Sequence, residues 1–129
     1  MKTVITFGTF DVLHVGHLRI LERALALGDR LVVGVSTDEL SAEKKQRTPI
    51  YPLHERMRLI KALRMVDDVF VEESLERKRD YILEHSAAVF VIGDDWAGKF
   101  DALRDLCEVV YLPRTPGIST TATIEKIRD

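Results

Sequence analysis

A chain of 129 residues, 46% hydrophobic and 31% charged, is long enough to fold around a core without disulfides or a structural metal, and one domain is expected over residues 1–129. Its formal net charge of −2 excludes a globally basic nucleic-acid binder but leaves room for a small anion held by local cations and helix amino termini. No apolar run approaches the ~18 residues of a membrane span, and the opening MKTVITFGTF enters a strand-like run with no signal-peptide pattern. No nucleic-acid partner, no membrane insertion and a cytoplasmic location are therefore expected.

Short β-branched runs alternate with segments of helical period, which predicts an α/β fold with a parallel sheet of about five strands. The first strand runs from Thr3 to Phe7, uninterrupted and so buried on both faces. A helical stripe of Leu18, Ile20, Leu21, Ala24 and Leu25 follows, with Gly28 expected as its C-cap. Leu31 to Val35 is the second strand. The polar stretch from Ser36 to Pro52, with Lys44, Lys45, Arg47 and two prolines, reads as a loop. Pro52 opens a helix in which Leu59, Ile60 and Leu63 share a face. Val69 to Val71 is a short strand, followed by a helix from about Leu75 to His85. Ala88 to Ile92 and Glu108 to Leu112 are the remaining strands, separated by a helix beginning near Trp96. Cys107, the only cysteine, can form no internal disulfide and is expected to be a buried small apolar residue. The last helix starts after Gly117.

Open parallel sheets bind ligands beyond the carboxyl ends of their strands. Three glycine-bearing segments occupy such positions here. They are Gly8-Thr9-Phe10-Asp11, continuing into His14-Val15-Gly16-His17, then Gly93-Asp94-Asp95-Trp96, and Arg114-Thr115-Pro116-Gly117-Ile118-Ser119-Thr120-Thr121. They should meet at one edge of the sheet.

In the first segment Gly16 lets a phosphate approach the backbone, and the helix that follows points free N–H groups at it. His14 and His17 can then donate to oxygens that gain charge as a phosphorus becomes five-coordinate. The competing readings are a metal pair on one helix face, or two capping histidines. A zinc site would want further ligands, and His54 and His85 lie on predicted helices as surface residues. Gly8 suits close approach to a nucleotide, and Phe10 is expected to tuck into the core. Asp11 either holds a magnesium ion or caps the helix. In the third segment Arg114 offers a bidentate grip on phosphate, while Ser119 and Thr120 present hydroxyls and N–H groups at a helix start. Asp94 and Asp95 bind the nucleotide or its metal, or cap a turn. Lys44, Lys45, Arg47, Arg56 and Arg64 form either a solvated surface or a phosphate-facing cluster.

Taken together, these motifs resemble the signature of the class I nucleotidyltransferase superfamily, and the Arg114 to Thr121 segment resembles its cytidylyltransferase branch. The likeness extends over the chain, through Leu31-Val32-Val33, Ser36-Thr37-Asp38-Glu39, Val66-Asp67, Gly93-Asp94-Asp95-Trp96 and the stretch from Cys107 to Thr121, and is strongest to enzymes that use glycerol 3-phosphate. The resemblance implies a Rossmann-like domain with helices on both faces, a homodimer, and magnesium used with CTP. It also implies direct attack of a phosphorylated alcohol, glycerol 3-phosphate first, on the α-phosphorus. By the same matching His14 and His17 would be catalytic. Gly8, Thr9, Phe10, Gly16, Arg47, Arg64, Asp95, Arg114, Thr115, Gly117, Ile118, Ser119 and Thr120 would contact the nucleotide, and Lys44 or Lys45, with Lys78, the acceptor. Asp11 is the candidate magnesium ligand. Two departures fall on the acceptor side: the family's Lys-x-Lys appears as Lys45-Gln46-Arg47, and Leu75 stands where an aromatic residue is expected. Another phospho-alcohol acceptor (choline, ethanolamine or sugar phosphate) is one alternative, and a nucleotide-binding module without turnover is the other.

Overall fold

In the computed structural model, which describes residues 1–114 and 118–128, five parallel strands form one sheet in the order β3-β2-β1-β4-β5. They are β1 Thr3–Gly8, β2 Arg30–Ser36, β3 Asp68–Glu72, β4 Val89–Gly93 and β5 Glu108–Leu112. The helices are α1 Val15–Leu25, α2 Asp38–Lys45, α3 Leu53–Lys61, α4 Lys78–Glu84 and α5 Thr120–Arg128. The expected α/β, Rossmann-like architecture is what the chain adopts.

Alternation along the strands sends side chains to two faces, each of which packs on helices. Val4, Leu31, Val33, Val89 and Val91 meet Leu21 and Ala24 of α1 and Ile60 of α3. Ile5, Phe7, Val32, Phe90 and Ile92 meet Tyr81 and Ile82 of α4 and Leu103. The unbroken apolar runs of β1 and β4 follow from this double burial.

Several expectations need correction. Residues 36–52 are not all loop, because α2 occupies Asp38–Lys45. Thr37 caps it by accepting Leu40 N–H at 3.1 Å, acidic residues open it, and Lys44 and Lys45 close it, so charge complements the helix dipole at both ends. The helix expected near Trp96 is not an α-helix: two 3₁₀ segments, Asp94–Trp96 and Asp101–Asp105, bridge β4 to β5. The helix expected from Leu75 begins as a 3₁₀ turn, Leu75–Arg77, before α4. Gly28 is not a left-handed cap: α1 ends through Ala26 in right-handed geometry. Instead a Cβ at Gly28 would lie 2.6 Å from the Lys2 carbonyl oxygen, so glycine permits close packing of the turn on β1. Leu59 is exposed while Ile60 is buried, and Cys107 is only half-buried.

The sheet reverses its winding between β1 and β4. Their carboxyl ends, Gly8 and Gly93, therefore flank the crevice where a doubly wound sheet takes its ligand.

Candidate active site

At the mouth of α1 the two histidines cap the helix reciprocally. His14 Nδ1 accepts the Gly16 N–H at 3.0 Å, and His17 Nδ1 accepts the His14 N–H at 3.2 Å. The rings stack with centroids 3.8 Å apart. A neutral imidazole that accepts through Nδ1 carries its hydrogen on Nε2, so both rings are left as Nε2–H donors. Burial, then the neighbouring His14 and Lys45, push His17 down to about 3, and burial lowers His14 as well. Two stacked imidazoles are thus held neutral, and the capping reading and the donor reading are one arrangement. Gly16 is required by space: a Cβ there would lie 2.8 Å from His14 Cε1 and 3.2 Å from Ile118 Cγ2.

The turn before this pair is strained and tied down. Phe10 and Val12 have φ of 53° and 49°, a left-handed conformation unusual for any side chain and worst for β-branched valine. Arg56, fully buried, donates to the Thr9 carbonyl at 2.8 Å, to the Ser36 carbonyl at 2.9 Å and to the Tyr51 carbonyl at 2.9 Å, and it pairs with Asp38. Thr120 Oγ1 donates to the Asp11 carbonyl at 2.6 Å, stitching α5 to the same turn. Phe10 is buried as expected, its ring under Gly8 and edge-on to His17.

A continuous cleft opens over these elements. One lobe is lined by Gly8, Thr9, Phe10, His17, Arg47 and Thr120. The next is lined by His14, Gly16, His17, Asp95, Arg114 and Ile118 to Thr121. A third lies between Lys44, Lys45, Leu75, Trp96 and Lys99. Lys45 lines all three, so it stands at their junction. Arg47 donates to Thr121 Oγ1 at 3.3 Å, and Arg114 pairs with Asp95 at 3.2 Å across the second lobe. Ser119 Oγ accepts Ala122 N–H at 3.0 Å, capping α5 where the second lobe meets it. Thr115 and Gly117, named from the sequence, lie outside the described residues.

Several sequence expectations change. Asp11 does not cap α1: its carboxylate accepts Ile50 N–H at 2.6 Å and Tyr51 N–H at 2.9 Å, fastening the segment before α3. Among the described residues no three His, Cys, Asp or Glu side chains converge on a metal position. Arg64 is exposed in the connection from α3 to β3, at the amino ends of the strands and away from the cleft. Lys78 is neither solvated nor open to the cleft. It is buried, paired with Glu72, and its ammonium sits 4.2 Å from the Phe7 ring centroid. Lys44 and Lys45 do not compete for one place: Lys44 donates to Ser36 Oγ at 2.8 Å below the third lobe, while Lys45 faces the junction. Arg56 and Glu72 escaped the sequence reading as anchors, since their partners come from distant segments. Lys99 escaped too, although its neighbourhood to Trp96 was a signal.

A parallel sheet with a cation-rich cleft at its switch point, and two neutral imidazoles aimed from a helix mouth, is the layout of a nucleotidyltransferase site. The chain belongs to the cytidylyltransferase-like family, whose model matches residues 5–126. It is 55% identical over 128 residues to the glycerol-3-phosphate cytidylyltransferase of Bacillus subtilis (strain 168), covering 98% of each chain. It is 46% identical over 121 residues to the glycerol-3-phosphate cytidylyltransferase of Staphylococcus aureus (strain NCTC 8325 / PS 47), covering 94% of this chain and 91% of that one. Among solved structures it is similar to the lipopolysaccharide core biosynthesis protein from Thermoplasma volcanium GSS1, with a TM-score of 0.75 and 26% identity over 89% of this chain and 98% of that one.

Proposed function

We propose that the chain transfers the cytidylyl group of CTP to glycerol 3-phosphate, giving CDP-glycerol and pyrophosphate by direct in-line attack. The high identity to two glycerol-3-phosphate cytidylyltransferases supports both substrates. The observation that carries the mechanism is the pair of Nδ1-capped, Nε2-donating histidines at the mouth of α1.

In this reading an acceptor phosphate oxygen forms a bond to the α-phosphorus while the bond from that phosphorus to the bridging oxygen of the β-phosphate breaks. The electron pair leaves with pyrophosphate, and no enzyme group becomes covalently attached. His14 and His17 donate through Nε2 to oxygens that gain charge at the transition state, and act as electrostatic stabilisers rather than as bases. Arg114, Ser119, Thr120 and the start of α5, with Thr115 and Gly117, receive the departing phosphates. Gly8, Thr9, Phe10, Arg47, Asp95 and Ile118 line the nucleotide, and Lys45 bridges the two substrates. Lys44 meets the acceptor phosphate, with Lys78 adding charge from behind.

Magnesium, which the resemblance implies, would enter with the triphosphate, held by phosphate oxygens and water. Its chemistry would be to neutralise phosphate charge. Pairing with a second copy, and residence in the cytoplasm where the CTP pool lies, belong to the same reading. No helix among the described residues is long and apolar enough to cross a membrane.

Pyrophosphate release with each nucleoside triphosphate and a panel of phospho-alcohols tests the reading. With glycerol 3-phosphate, CTP should exceed ATP, GTP and UTP by about ten-fold or more in kcat/KM. Preference for ATP, or for choline phosphate over glycerol 3-phosphate, would overturn it.

A further inference from the structure

Behind the third lobe of the cleft, two ammonium groups gather around one carboxylate, one directly and one through a serine. Glu72, at the end of β3, is 0% exposed and Lys78, at the start of α4, is 2% exposed. Glu72 Oε2 accepts from Lys78 Nζ, while Glu72 Oε1 accepts from Ser36 Oγ at 2.7 Å. Ser36 Oγ in turn accepts from Lys44 Nζ at 2.8 Å. A single carboxylate therefore organises two ammonium groups from α2 and α4. Two positive charges against one negative leave one positive charge uncompensated, and Lys44 is the member that lines the cleft. Charge held out of water is costly unless an anion completes it.

We propose that Glu72 is the positioning residue of the acceptor subsite, aiming Lys44 at the acceptor phosphate through Ser36 while Lys78 supplies a second positive charge from behind. This rests on the reading of the third lobe as the acceptor end. A merely structural Glu72–Lys78 pair would stabilise the fold without setting acceptor affinity.

The charges around Lys44 make the difference measurable. Burial pushes its ammonium down to about 8; Glu72 on β3 raises it, whereas Lys78 on α4, Lys45 on α2 and Arg56 on α3 lower it. Burial also lowers Lys78, again against Glu72. Removing the carboxylate charge lets both lysines lose their protons more readily, and lower pH restores them.

Steady-state kinetics of Glu72→Gln with CTP and glycerol 3-phosphate provide the test. Near pH 7.5 the acceptor KM should rise about ten-fold or more, with the CTP KM within about two-fold of wild type. The mutant-to-wild-type ratio of acceptor KM should shrink as pH is lowered, because titration of the acceptor's own phosphate cancels in the ratio. An unchanged acceptor KM, an equal rise in both constants, or a ratio independent of pH would overturn the proposal. Ser36→Ala removes the tether of Lys44 but leaves the Glu72–Lys78 pair, and so answers if Glu72→Gln does not fold. It should raise acceptor KM about three-fold or more, and no rise counts against Glu72. If the wild type prefers another phospho-alcohol, the glycerol 3-phosphate reading fails while the same split, measured with that acceptor, still decides on Glu72. Wild type that releases no pyrophosphate with any of these acceptors overturns both.

Discussion

A histidine that caps a helix through Nδ1 has one ring hydrogen left, on Nε2, and this helix mouth carries two such histidines side by side. With His17 pushed down to about 3, chiefly by burial, the ring is neutral throughout the neutral range and cannot serve as a proton reservoir there. In the proposed mechanism its contribution is a fixed dipole whose attraction grows as phosphorus oxygens gain charge. His17→Ala should therefore lower kcat by about 10²–10⁴ while changing CTP binding much less. Parallel measurement of kcat and of CTP affinity checks this; a folded variant that keeps more than about a third of wild-type kcat contradicts the role. Lys78 shows how a resemblance can suggest a role and leave the residue's surroundings hidden. The family resemblance implies a place near the acceptor, but only the fold reveals that it faces Glu72 instead of solvent. Truncating it would strand a buried carboxylate, at a cost of about 3–5 kcal/mol, so Lys78→Ala confounds stability with binding.

Elements differ in how plainly the sequence announces them. The strands were legible because both faces of the sheet are covered, which demands unbroken apolar runs such as Val89 to Ile92. Helix α2 was not, because Leu40 is its one large apolar residue and no amphipathic stripe forms. Its caps and charge order were present in Thr37-Asp38-Glu39 and Lys44-Lys45, a terminus signal that polarity and two nearby prolines masked. The motif His14-Val15-Gly16-His17 fell where expected at a strand-to-helix turn, since Gly16 leaves room for the His14 ring. The anchoring bonds of Asp11 were not legible because its partners, the N–H groups of Ile50 and Tyr51, come from a segment about 40 residues on that no local pattern links to it. Asp11→Ala should loosen that segment and raise the CTP KM about three- to thirty-fold. The magnesium concentration for half-maximal rate, at saturating CTP, should stay within about two-fold of wild type; a large increase would return Asp11 to the metal.

Across the whole molecule, the site is made of parts from every level of the chain joined by a few buried polar anchors. Arg56 ties the ends of β1 and β2 to the segment before α3, and Thr120 ties α5 to the first turn. Such anchors hold strained backbone at Phe10 and Val12 in place before any substrate arrives, so that binding energy can act on the reaction instead of on folding a loop. The histidine pair links this arrangement to stability. Unfolded imidazole takes a proton near 6.5, whereas folded His17 does so only at about 3, so the unfolded state binds more protons in that window. Stability should fall as pH drops from about 6.5 toward 3, and His17→Ala should show a shallower fall; identical pH slopes in thermal unfolding would contradict this.

The central claim is a single in-line displacement at the α-phosphorus, with both histidines stabilising it by hydrogen-bond donation and neither bonding to phosphorus. Turnover of one diastereomer of CTP α-thiophosphate with glycerol 3-phosphate, followed by assignment of configuration in the thio-CDP-glycerol formed, tests it most directly. One displacement inverts the configuration at phosphorus. A covalent nucleotidyl-histidine would require two displacements and retain it. Inversion is the predicted result, and retention would contradict the account.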